Sequence, residues 1–259
     1  MKQCIWCKKT ESETAFETKA HTVPKSLGGK RICENVCDEC NQIFGRHYFQ
    51  LPPVENAIKE AFHLTRARFL EQMGEVGRNK IMAKADSSTY FKIDLAKKSI
   101  KPKASYRLQK GFLRNLGRQL KKGLYKIYLE ETERINENGH DEKFDFIRHF
   151  ARYNIGDFPV FYFKRSFAAV LMHKDFLDDP HLEFDPEHRN KMLYHGNGFY
   201  EFELIGHVIG VAERRFWELE LNEYLRNTIK IKTGFFHPPK PIDLFTDFDI
   251  LLESFEDGR

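Results

Sequence analysis

Cys4-Ile5-Trp6-Cys7 and Cys37-Asp38-Glu39-Cys40 decide the N-terminal fold, and twenty-nine residues separate them. Each C-x2-C pair presents two thiolates to one tetrahedral ion, and together they make one four-sulfur site. Zinc held this way keeps no open coordination position, so Cys4, Cys7, Cys37 and Cys40 predict a structural Zn²⁺ that stabilises a segment too short for its own core. All five cysteines fall within the first forty residues, whereas a disulfide framework would spread its cysteines along the chain. Redox dithiols are the competing reading, and they do not usually come paired at this spacing. The fifth thiol, Cys33, reads as a small buried strand residue. Its alternative role, replacing Cys37 as a ligand, would break the C-x2-C spacing.

Between the knuckles runs Lys19-Ala20-His21-Thr22-Val23-Pro24-Lys25-Ser26-Leu27-Gly28-Gly29-Lys30, with Asn35 just before the second knuckle and Asn41 directly after it. Hydrolysis of a phosphodiester needs a base to deprotonate water and a cation to stabilise charge on the phosphate and leaving oxygen. His21 is the candidate base, and Pro24 stiffens the turn that would fix its direction. Gly28-Gly29 permits a tight reversal with backbone close to a phosphate, flanked by the positive charges of Lys25, Lys30 and Arg31. Taken alone, His21 is equally an ordinary turn histidine. Its place inside two knuckles argues for chemistry.

These residues resemble the HNH endonuclease family, in particular its zinc-knuckled subgroup, whose pattern is C-x2-C, His-x-x-Pro-x-Ser-Leu-Gly-Gly, then Cys-x-x-Cys-Asn-x-x-x-Gly. The match runs through Gly45 and covers about the first fifty residues. The resemblance implies a ββα-metal module with His21 as general base, Asn35 as its orienting partner and Asn41 as a ligand on the side of a divalent metal such as Mg²⁺, Mn²⁺ or Ni²⁺. It also implies DNA as substrate, and a role in bacterial or phage defence by analogy. One position departs from the pattern. The family usually carries an acid just before the catalytic histidine, and here Ala20 cannot coordinate a cation. Glu17, Glu34, Asp38 and His47 are the nearby candidates to replace it.

The chain has 259 residues, 41% of them hydrophobic, enough for one large or two modest domains. No run approaches the roughly eighteen apolar residues of a membrane helix and no signal-peptide core opens the chain, so a cytoplasmic location is expected, with no membrane partner. The net charge of +4 is modest for a nucleic-acid binder. Its distribution is uneven, however: Lys97 to Lys126 holds eleven Lys or Arg and no acid, whereas the tail from Asp243 to Asp257 is acidic.

A helix is expected at about 38–49 and another at 54–73, with one or two strands within 79–100. From Ser105 to about Asn138, Leu108, Phe112, Leu116, Leu120, Leu124, Ile127 and Tyr128 recur at three-to-four spacing. The opposite face carries Arg107, Lys110, Arg114, Arg118, Lys121, Lys122 and Lys126, which reads either as a DNA-backbone contact or as an ordinary solvated stripe. After Gly139 the aromatic runs Phe158–Phe163 and Phe199–Ile205 read as strands, with Gly206 and Gly210 marking a bulge or a close contact and Arg214–Lys232 as further strands. Their aromatics read as core more than as base-stacking platforms. The histidines beyond residue 50 show no metal spacing, and the acids of 175–185 point to no defined site.

The resulting expectation is an α+β chain. Residues 1–52 form the ββα module with its four-cysteine zinc site, 53–138 a mainly helical basic connection, and 139–259 a small α+β domain serving grip, homodimerisation or control by a regulatory partner or ligand. The competing function is a non-catalytic, zinc-containing nucleic-acid-binding protein with a degenerate HNH fold, favoured by Ala20.

Overall fold

The structure is a computed structural model that describes residues 2–47, 51–72, 88–94, 97, 99–166, 179–184 and 193–250. Strands β1 (Ala20–His21) and β2 (Ile32–Cys33) pair antiparallel, with Ala20 opposite Cys33 and His21 opposite Ile32. Helix α1 (Asp38–Gly45) begins inside the second knuckle, with Asp38 and Glu39 in its first turn, where negative charge complements the helix dipole. These are the expected two strands and helix.

Helix α2 (Val54–Gln72) and strands β3 (Phe91–Asp94) and β4 (Ser99–Pro102), which form a hairpin, come next. The helix expected from Ser105 is interrupted. A single turn at Ala104–Arg107 ends, Gly111 adopts φ 73°, and α3 runs from Phe112 to Asn136. Leu108, which the periodicity places on the apolar face, falls in the interruption and is 84% exposed.

A five-stranded antiparallel sheet fills the C-terminal region in the order β6-β7-β8-β5-β9, from β5 (Val160–Phe163), β6 (Leu182–Glu183), β7 (Phe199–Leu204), β8 (His207–Ala212) and β9 (Lys240–Pro241). β7 and β8 are buried along their whole length, because both faces of the sheet are covered. Val160 and Tyr162 point into the core shared with α3, while Phe161 and Phe163 point into a second cluster with Tyr224, the alternation a strand imposes. Tyr224 belongs to α4 (Glu218–Lys232). That helix replaces the strands expected over Arg214–Lys232; its β-branched residues are few, and Leu221, Tyr224, Leu225 and Thr228 recur at helical spacing. Ile205 and Gly206, both at positive φ, make the tight β7–β8 turn, so Gly206 is a hairpin residue and not a bulge. Gly210 is the close contact, packed under the Tyr224 hydroxyl.

α3 is the axis of the molecule. One core cluster runs from Cys4 through α2, α3 and the sheet to Ile250, so the N-terminal module shares its interior with the C-terminal strands. Against the sheet, the Tyr125 hydroxyl donates to Pro159 O at 2.8 Å and accepts from Ala212 N–H at 3.0 Å. Against α2, Gly123 lets the helices close: a side chain there would meet Ile58 and Val54. Gly123→Val is therefore expected to destabilise the protein by about 1–3 kcal/mol through overpacking. Leu108→Ala, at an exposed site, should stay within about 0.5 kcal/mol of the parent. Urea midpoints for the two variants check both.

Candidate active site and metal centre

The four cysteine sulfurs lie within 4.8 Å of one another, and Cys7 Sγ is 3.7 Å from Cys37 Sγ. A tetrahedron with Zn–S bonds of about 2.3 Å sets its sulfurs roughly 3.8 Å apart, close to the Cys7–Cys37 separation, so the cluster has the size and donor set of a zinc site. Two donors point at its sulfurs: Cys37 N–H donates to Cys4 Sγ at 3.4 Å, and Arg152 Nε donates to Cys40 Sγ at 3.2 Å. A hydrogen bond from Cys40 draws the Cys4 thiol down to about 5, while the same bond raises the Cys40 thiol and burial pushes Cys7 up to about 11, so without an ion the four sulfurs share protons. Cys33 sits on β2, outside the cluster, and burial pushes its thiol far up, so it is an inert core residue.

β1 and β2 carry the hairpin whose mouth is the candidate active site. His21 is half-buried on β1, and its Nδ1 is buried with no hydrogen-bond partner. Ala20, its neighbour, is wholly buried against the core, so that position does not open on the site. The loop behaves as the glycines foretold. Pro24 precedes a 3-10 turn at Lys25–Leu27, and Gly28 follows in the left-handed region at φ 89°. At Gly29 a side chain would drive into the Val23 carbonyl. Lys25 and Lys30 are exposed.

Asn35 does not reach His21. Its Nδ2 donates to Glu133 Oε1 of α3 at 2.5 Å, leaving the imidazole Nδ1 without the partner the resemblance implied. Asn41, on α1, donates from Nδ2 to Thr18 Oγ1 at 3.1 Å and to Lys19 O at 3.4 Å, tying α1 to the chain entering β1; its Oδ1 is the atom left to face a cation. Among the substitutes for the missing acid, Asp38 accepts from Thr18 N–H at 2.8 Å and Oγ1–H at 2.7 Å, which hold its carboxyl below the usual range. Glu34 pairs with Lys2 at 3.6 Å. Glu17 and His47 are exposed.

The module is bolted to the rest of the chain by residues the sequence did not flag for that task, among them Lys126, which the periodicity places on the basic face and the structure buries. Lys126 Nζ, on α3, donates to His21 O at 2.7 Å and pairs with Glu130 at 2.7 Å. Glu130, its carboxyl pushed up to about 7 by burial, accepts from Trp6 Nε1–H, inside the first knuckle, at 3.1 Å. Arg148 Nε donates to Ile5 O at 2.5 Å, and Arg152 adds an ion pair to Glu39 at 2.9 Å. The signals were present but faint: an indole in a knuckle that needs a partner, and Lys126 and Glu130 one helical turn apart.

Several cations expected to grip nucleic acid are already engaged. Arg31 lies 3.3 Å from Asp179 and 3.5 Å from Glu131, and donates to Leu182 O. Arg118 donates to Asn154 and to Gly156 O at 2.6 Å, and Lys121 pairs with Asp157 at 2.7 Å. Lys121 and Lys122 are buried, 5% and 4% exposed, which removes them from a surface stripe. The acid-free run led there because the acids that pair with it lie outside it, Asp94 and Glu130 just beyond its ends and Asp157 in a later segment. Arg107, Lys110 and Arg114 remain exposed. A second group, His181, Glu183 and Glu203, brings potential ligand atoms within 4.8 Å; sequence spacing hides it because Glu203 arrives by strand pairing opposite Glu183.

Residues 4–50 match the family model described as HNH endonuclease. No curated protein and no solved structure matches the chain. The N-terminal segment is thus an HNH module with a clustered set of four cysteines, and the rest of the chain lies outside that match. Among the described residues no helix is long and apolar enough to cross a membrane.

Lys122 supplies a test of the buried charges. Burial, with Arg118 and Arg152 adding like charge, lowers its ammonium to about 8. Between pH 8 and about 10.4 the folded state therefore binds fewer protons than the unfolded chain, so this group makes stability rise as pH rises through that window. Lys122→Met is expected to stabilise the protein at pH 7 by up to about 3 kcal/mol. Urea titrations at pH 7 and pH 10 should show that advantage shrinking at the higher pH.

Proposed function

We propose that the protein is a metal-dependent endonuclease of the HNH type that hydrolyses phosphodiester bonds in DNA. The observation that carries this reading is His21, held at the hairpin mouth inside the family-matched segment with its Nδ1 lone of partners, beside the Gly28-Gly29 reversal and the exposed Lys25 and Lys30. In this reading His21 takes the proton from the attacking water. Asn41 offers Oδ1 to the divalent metal, which supplies charge stabilisation at the scissile phosphate when bound. Asn35 serves the site at one remove, by anchoring the hairpin's second strand to Glu133. The Cys4, Cys7, Cys37 and Cys40 site holds zinc and fixes Asn41, which directly follows Cys40.

Grip on the duplex comes from Lys25 and Lys30 at the loop and from Arg107, Lys110 and Arg114 near the start of α3. Arg114 lies twelve residues before Lys126, about 18 Å along the helix at 1.5 Å per residue, or roughly five base pairs of duplex. Contacts of this kind are sequence-independent and salt-sensitive. The C-terminal sheet is assigned to control, through a ligand, a partner or a second copy of the chain, and the setting to the cytoplasm and to defence against foreign DNA.

Ala20 and the engagement of Asp38 by Thr18 favour a second reading, a nucleic-acid-binding HNH module without catalysis. Supercoiled plasmid incubated with Mg²⁺, Mn²⁺ or Ni²⁺ separates the two. Nicking is expected in at least one of these metals, with His21→Ala lowering it by about 10²- to 10⁴-fold while zinc content and plasmid retention on a gel stay at the parent level. Undiminished cutting by His21→Ala overturns its role as base, and binding without nicks in all three metals establishes the second reading.

A further inference from the structure

We infer that Lys126 is the positioning residue for His21, the task that the resemblance gave to Asn35. The inference rests on the nuclease reading for its catalytic consequence, but its structural content stands apart from it. Lys126 is wholly buried, and its Nζ donates to two successive carbonyls of the hairpin, His21 O at 2.7 Å and Thr22 O at 3.5 Å. Those carbonyls belong to the residue proposed as base and the one after it. A charged donor shared between them fixes the peptide plane that sets the direction of the His21 side chain, and a charge-assisted bond is stronger than the neutral one an asparagine would make.

The ammonium is itself held from behind. Glu130 Oε2 accepts it at 2.7 Å, the other Glu130 oxygen accepts the Trp6 indole N–H, and the Phe44 ring of α1 lies 5.7 Å from Nζ. Trp6 packs edge-on to Phe44, with ring centroids 4.9 Å apart. One buried group therefore touches the first knuckle, the module's helix and the carbonyl of its candidate base. Asn35, meanwhile, spends its amide on Glu133, one helical turn further along α3. Both hairpin strands are thus fastened to a single helix outside the family-matched residues, β1 by Lys126 and β2 through the Asn35 and Glu133 bond. Polar groups so deeply buried tolerate few arrangements, because each broken bond strands its partner away from water.

The test uses the full zinc-loaded chain. Lys126→Met paired with Glu130→Gln removes the donor without leaving a lone buried charge, and the glutamine still offers an oxygen to Trp6. Hydrogen exchange over residues 20–31 is expected to quicken at least tenfold with zinc stoichiometry at one per chain. If the parent nicks plasmid, kcat should fall at least tenfold with KM within threefold. Glu130→Gln alone keeps the Lys126 donors on His21 O and should lower kcat less than the double variant. Should the double variant lose its zinc, Lys126→Gln with Glu130→Gln, a neutral amide pair of similar volume, is read by the same two measurements. Unchanged exchange over 20–31 overturns the inference, as does an unchanged kcat, or a loss in Glu130→Gln as large as in the double variant. A parent that never nicks defeats the nuclease reading instead, and exchange alone then decides the role of Lys126.

Discussion

The buried pair of Lys126 and Glu130 is the constraint on which the arrangement of the molecule depends. Two charges removed from water are costly, and the cost is offset only when every remaining hydrogen-bonding position is filled. Here the filling groups are the Trp6 indole of the first knuckle and the His21 carbonyl of β1. A small module with little core of its own is thereby set in one orientation on α3, and a four-cysteine cluster that alone would fix only its knuckles becomes part of a continuous interior.

The N-terminal module was legible in the sequence because its constraints are local. Ligand spacing, Pro24, and the glycines at 28 and 29 each act within a few residues of themselves, and strand, turn and helix follow at the expected places. Two strands of the sheet, β5 and β7, were legible from aromatic density for the same reason, while β6, β9 and the strand order were not, since β5 pairs with β8 across a long excursion. Arg214–Lys232 was misread because its apolar residues are sparse on a helix that covers only one face of the sheet.

The surroundings of His21 were the least legible part. The resemblance implied Asn35 as a partner of His21, yet Glu133, ninety-eight residues away, claims its amide. The basic run of 97–126 likewise reads as a solvated or nucleic-acid-facing stripe when taken alone. Tertiary packing divides it: its beginning stays in water, and its end passes beneath the hairpin, where Asp157 and Glu130 neutralise Lys121 and Lys126. Charge patterning reports what must be compensated but not where the compensation comes from.

The single core running from Cys4 to Ile250 bears on how such a module can be moved between proteins. A self-contained nuclease cassette can be recombined freely, because its fold and its site travel together. This one cannot be lifted out as residues 4–50, since the groups that seat its hairpin and its first knuckle, Lys126, Glu130, Glu133 and Arg148, would be left behind. The helical segment through Arg152 is part of its seating, so any graft has to carry at least that far.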